Sequence, residues 1–165
     1  MSRTTRLILG TIATTAVIAG VAALSAWPSH RTIPEGTGVL KLSFSHGGER
    51  SCRERTAAEL AKLPPNMRRT EICARKRLPV YVELDLDGET VLRASLPPSG
   101  IAGDGPSRVY QRFVLPAGEH DVAIRLRDTT RAEGFDYAAE RRISLAAEQS
   151  FAIDFRPAAG GFIFN

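Results

Sequence analysis

The stretch LPVYVELDLDGETVLRASLP, residues 78–97, decides the fold. Val80, Val82, Leu84 and Leu86 alternate with Tyr81, Glu83 and Asp85, the period of two that sends successive side chains to opposite faces of a strand. Asp87-Gly88 comes next, a pair suited to a type I′ turn, whose two central residues both need positive φ. Beyond it Leu92, Ala94 and Leu96 alternate again. The stretch therefore predicts an antiparallel hairpin with one buried face.

The same alternation recurs on both sides. VLKLSF (39–44) sets Leu40, Leu42 and Phe44 against Lys41 and Ser43. After the Gly/Pro-rich loop PPSGIAGDGPS come RVYQRFVL (108–115) and, past the turn PAGEH, DVAIRLRD (121–128). The loop TTRAEGFDYAAE leads to RRISL (141–145), and SFAIDF (150–155) and GFIFN (161–165) close the chain. Short alternating runs divided by turn signals predict a mainly β protein, an antiparallel β-sandwich of about seven or eight strands. GFIFN reads as a final edge strand or as a terminal strand that adds to a partner's sheet.

LPAGEHDVAIRLRD (115–128) resembles the turn and strand of PEGA-type repeats, and is similar to transthyretin-like or carboxypeptidase-regulatory-like sandwiches. ELDLDGETV upstream and ISLAAEQSFAIDF downstream fit the same layout, so the resemblance spans about residues 79–156. It implies an extracytoplasmic binding or structural module without catalytic residues, and it carries no residue-level role. The long loops at 97–107 and 129–137 and the cysteine-bearing insertion depart from that pattern.

Residues 1–6 bring Arg3 and Arg6, and Leu7–Trp27 is then free of charge for 21 residues. Such a run crosses a hydrocarbon core of ~30 Å at about 1.5 Å per residue. The preceding arginines keep the N-terminus cytoplasmic, and Trp27 and Pro28 mark an interfacial end. A cleaved signal is the competing reading, since VAALSA offers small residues at cleavage spacing, but the run exceeds a signal's apolar region of roughly 7–15 residues. Both readings export the remainder of the chain, a linker over 28–38 and a domain over 39–165. The expected location is a bacterial inner membrane with the bulk of the chain periplasmic.

The two cysteines lie in SCRERTAAELAKLPPNMRRTEIC, 51–73, within an insertion read as a helical excursion over 50–77. Thr56 and Glu59 have capping-box spacing, AAELAKL favours helix, and Pro64-Pro65 stops it. This segment has too little apolar content to hold itself by burial. Two cysteines flanking it in an exported chain predict a Cys52–Cys73 disulfide. The alternative is a soft-metal site for Cu(I) built from His46, Cys52, Met67 and Cys73, although no tight ligand pair such as C-x-x-C is present.

Charge is unevenly distributed. Residues 49–78 carry nine Lys/Arg and four Glu, whereas 79–165 carry nine Arg and thirteen acids. The net +4 therefore hides a polarised domain. Because aromatics do not interleave with the basic residues, the charge does not point to nucleic acid. Arg68, Arg69, Arg75, Lys76 and Arg77 are candidate partner-binding residues, facing anionic headgroups or an acidic partner. Phe135 and Tyr137 join them if the 129–137 loop exposes its aromatics, and otherwise tuck into the sandwich edge.

GIAGDG lies between strands with no helix to receive a phosphate, and DLDGE lacks the rest of a calcium loop. His46 and His120 come without a nucleophile setting. The expectation is a membrane-anchored accessory or adaptor without cofactor or catalysis, which binds a membrane complex or envelope component. The alternatives are periplasmic copper handling or metalloenzyme assembly, and carbohydrate or cell-wall binding.

Overall fold

A computed structural model describes residues 2–26 and 33–165. Trp27, Pro28 and part of the 28–38 linker lie outside them. Helix α1 (Arg3–Ala26) is long and apolar enough to cross a membrane. The hydroxyls of Thr11 and Thr14 donate to the carbonyls of Leu7 and Gly10 at 3.0 and 2.9 Å, so these polar groups are satisfied within the helix itself.

Residues 35–165 form a second compact unit, mainly β. The hairpin around Asp87-Gly88 takes the expected form: β4 (Val80–Leu86) pairs with β5 (Glu89–Leu96), and the turn residues have φ of 52° and 86°. Two further strands complete this sheet, β7 (Gly118–Arg127) and β8 (Tyr137–Leu145), in the order β5-β4-β7-β8. The other four-stranded sheet has the order β10-β9-β1-β6, made of β1 (Thr37–His46), β6 (Ser107–Pro116), β9 (Ser150–Arg156) and β10 (Gly161–Phe164). Leu40, Leu42 and Phe44 of β1, Val82 and Leu84 of β4, Ile124 and Leu126 of β7, and Ile153 and Phe155 of β9 belong to one buried cluster. That cluster is what period-two burial from both sheets produces.

Two details differ from expectation. β1 and β9 run parallel, from Val39 opposite Ser150 to Leu42 opposite Ile153, so pairing is not antiparallel throughout. A pair joining residues more than a hundred positions apart leaves no trace in local periodicity. The described residues also contain ten strands rather than seven or eight, because the excursion is mostly a hairpin of β2 (Arg50–Glu54) and β3 (Glu71–Arg77). Its helix, α2, is only Ala57–Ala61, opened by the Thr56–Glu59 capping box and followed by a 3-10 turn at Pro65–Met67. GFIFN forms the edge strand β10, with Phe162 and Phe164 packed against the core.

Candidate functional site

Strand direction divides the domain into two unlike ends. β1 runs from Thr37 to His46, with β6 returning opposite it from Ser107 to Pro116, and β4 and β7 pair Tyr81 with Arg127. The His46 end therefore carries the long connections: the insertion between β1 and β4, the loop 97–106 and the loop 128–136. These connections are tied together there. The N–H of Glu49 donates to the Asp128 carbonyl at 2.8 Å, Leu78 donates to Glu49 at 2.8 Å, and Arg77 donates to Gly103 at 2.9 Å. Among the described residues the opposite end has tight turns, at 87–88, 117 and 146–149. It also receives the chain: Ala117 N–H donates to the Gly36 carbonyl at 2.9 Å and Glu148 N–H to that of Thr37 at 2.7 Å.

The hairpin β2–β3 projects from the loop end. Cys52 stands opposite Cys73, and the two sulfurs are 2.03 Å apart, at disulfide distance. Burial contributes little else, since all five residues of β2 are exposed and β3 half-buries only Ile72 and Arg77. Arg77 anchors the base, its Nε donating to the Asp104 carbonyl and its Nη1 to that of Gly48, both at 3.0 Å. Arg75 Nε reaches the Asp104 carboxylate at 2.8 Å, and this bond, before any through-space attraction, holds Asp104 below the usual carboxylate range. Arg53 grips both oxygens of Glu59 at 2.8 and 3.0 Å. The Arg53 bond and the Thr56 N–H together lower Glu59 to about 2.

Of the basic residues expected to bind a partner, Arg75 and Arg77 are thus engaged structurally, and Arg68 donates to the Leu63 carbonyl at 3.0 Å. Arg69 and Lys76 are exposed and form no ion pair among the described residues, and Arg50 and Lys62 share that state. Sequence reasoning did not separate these two groups, because the sorting residue is Asp104, 27–29 positions away from its partners. A lone carboxylate in a glycine-rich loop is the signal that was there to read. Arg55 adds a buried Nε without a hydrogen-bond partner.

The loop 128–136 is closed on itself. The Asp136 carboxylate accepts from the N–H groups of Asp128 and Thr129 at 3.0 and 3.2 Å and from the Thr129 hydroxyl at 2.9 Å. Burial is the largest single influence on Asp136 and acts to raise it. The Asp128 and Thr129 donors, with Arg131 behind them, outweigh burial and keep the group below its ordinary value. Phe135 is half-buried and stacks on Tyr81, ring centres 6.2 Å apart, while Tyr137 lies in β8 edge-on to Phe155 at 4.9 Å. Both aromatics are half-buried against neighbouring rings.

His46 Nε2 meets the Asp128 carboxylate at 2.5 Å, and the ring packs edge-on against Phe155 at 4.9 Å. Ser107 is its cross-strand neighbour, but that side chain is fully buried and its hydroxyl donates to the Leu96 carbonyl at 2.8 Å. Together these contacts tie β1, β5 and the end of β7 at the loop end. His46 is therefore committed to Asp128, the cysteines to each other, and Met67 stands exposed. Among the described residues no three His, Cys, Asp or Glu side chains are grouped to hold a metal ion.

A depression on the outer face of sheet β5-β4-β7-β8 is lined by Asp85, Asp121, Arg125 and Arg142. Four of its charges are mutually paired, Arg125 with Asp85 at 2.7 Å and Arg142 with both oxygens of Asp121 at 2.7 Å, while Glu140 and Arg141 also line it. Its two ion pairs are surface pairs of the ordinary kind. No protein-family model matches the chain, and no curated protein matches it significantly. The likeness of residues 115–128 to PEGA-type repeats therefore rests on those segments alone.

Proposed function

We propose that the protein is a membrane-anchored adaptor without catalytic activity, a periplasmic β-sandwich with its N-terminus cytoplasmic, which binds an acidic partner in a membrane complex or the envelope through its loop end. One observation carries the reading. The exposed cations Arg50, Lys62, Arg69 and Lys76, in no ion pair among the described residues, stand on a hairpin that buries almost nothing of its own, at the end opposite the point where the chain enters the domain. Surface segments held rigidly at their base and poor in core contacts are where binding residues concentrate. The helix Arg3–Ala26 and the cysteine pair support the anchor and an oxidising compartment.

The hairpin's charges act on a partner that reaches the loop end of the domain. β1 has ten residues, and at about 3.3 Å each it separates the hairpin base from Gly36 by ~30 Å. A Debye length is about 8 Å at physiological ionic strength, so charge at one end is not felt at the other.

Crosslinking of the full chain in native membranes is the test, with R50E/R69E/K76E as the variant. A discrete crosslinked species that disappears with the variant supports the adaptor. A species indifferent to the substitutions, or its absence from wild type, overturns it.

A further inference from the structure

Strand β6 ends its sheet and pairs with β1 alone among the described residues, so alternate N–H and C=O groups over residues 108–115 face outward without a strand partner. The two four-stranded sheets have four edges to compare. β10 has only four residues. On β5, Arg93 is paired with Glu83 at 2.8 Å; on β8, Arg142 is paired with Asp121, and Arg141 lies over the Phe164 ring at 5.6 Å. On β6, Arg108 and Arg112 are exposed and form no ion pair among the described residues, and Lys41 of β1 stands directly opposite Arg112. Like charges in facing cross-strand positions are destabilising. Tyr110 and Val114 share this outer face, 61% and 53% exposed. On the inner face Phe113 and Leu115 are only half-buried, at the margin of the core.

We propose that β6 is a docking edge for an extended acidic segment of a protein partner, one that alternates carboxylates with branched apolar residues. A strand added to β6 sends alternate side chains to the two faces. Its carboxylates come beside Arg108 and Arg112 and relieve the Lys41–Arg112 opposition. Its apolar residues cover Phe113 and Leu115. Edge cations commonly serve only to block aggregation. Here they do so selectively: a second copy of β6 would bring two more arginines beside Arg108, Arg112 and the facing Lys41, whereas an acidic strand is admitted. The inference is independent of the hairpin at the loop end.

The experiment uses the full chain in zwitterionic detergent and a blocked, fluorescent octapeptide of alternating Glu and Val, with its Lys/Val counterpart as control. Anisotropy should show about a tenfold preference for the Glu/Val peptide, the size expected of two cross-strand charge pairs. Amide exchange should slow along residues 108–115, and R108E/R112E should reverse the preference. Equal binding of the two peptides, or an unchanged preference in R108E/R112E, overturns the proposal. So does slowing confined to residues 50–77, which would assign the attraction to the hairpin. Slowing of β6 that grows with protein concentration without peptide would make a second copy the occupant and overturn it as well.

Discussion

Both ring nitrogens of His120 face acceptors: Nδ1 lies 2.7 Å from the Asp87 carboxylate and Nε2 2.9 Å from the Pro116 carbonyl. A neutral imidazole donates only once, so these two acceptors favour the imidazolium over the neutral ring. The Pro116 carbonyl, and after it Asp87, raise His120 above its ordinary value. The His120 bond, with the Asp121 N–H, lowers Asp87. A raised histidine contributes stability that is complete below its unfolded value of about 6.5 and is lost as pH rises through the folded value. Asp87 contributes above the ordinary carboxylate range and loses its share as pH falls through its lowered value. The melting temperature of wild type should therefore fall as pH rises from about 6.5, whereas H120Q should be flat across that window. A parallel decline in both would remove His120 as the cause. Gly48 gives a second test at this scale, because a Cβ there would meet the Leu78 carbonyl, which is backbone and cannot turn aside. G48A should cost about 1–3 kcal/mol, the usual penalty of overpacking, read from denaturant midpoints.

The hairpin β2–β3 is an element held by covalent rather than hydrophobic means. Its facing pairs include Arg50 with Arg77 and Glu54 with Glu71, both like-charged, around the Cys52–Cys73 pair. Closing a loop of this size stabilises by about 3 kcal/mol in the chain-entropy model. Reduction should accordingly speed amide exchange in 50–77 by about a hundredfold while β1, β4 and β7 keep their protection. Equal acceleration in those strands would show that the hairpin is part of the core's cooperative unit. The contrast with the sheets shows why some elements were legible in the sequence and others were not. The alternation of Val80 to Leu86 and of Val122 to Leu126 exists because one face is buried, so burial wrote those strands into the sequence. RSCRE and EICARKR bury almost nothing, so no apolar rhythm announces β2 and β3, and the good helix formers between them suggest more helix than Ala57–Ala61. The cysteine pairing needed only compartment and count. The division between Arg75 and Arg77, bonded to Asp104, and Arg69 and Lys76, which form no ion pair among the described residues, needed Asp104, which tertiary structure alone brings near.

Across the whole domain, the residues that build the core and those proposed to bind a partner are different ones. The buried cluster draws on both four-stranded sheets and takes nothing from residues 50–77, whereas the exposed cations Arg50, Lys62, Arg69 and Lys76 all stand there. Arg75 and Arg77 are the exceptions, since they hold the loop 97–106 through Asp104. Replacing residues 51–74 with a short Gly/Asn turn, with Arg75 and Arg77 kept, should leave cooperative thermal unfolding within a few degrees of wild type. The change removes charge and surface but no core side chain. The same chain should lose the crosslinked partner in native membranes, and in wild type that crosslink should weaken as salt is raised past the point where surface charges are screened. A collapsed melting transition would make the hairpin a structural brace. A stable shortened domain that still captures its partner would shift recognition to the loops 97–106 and 128–136 or to the β6 edge, and the R108E/R112E variant then separates those two.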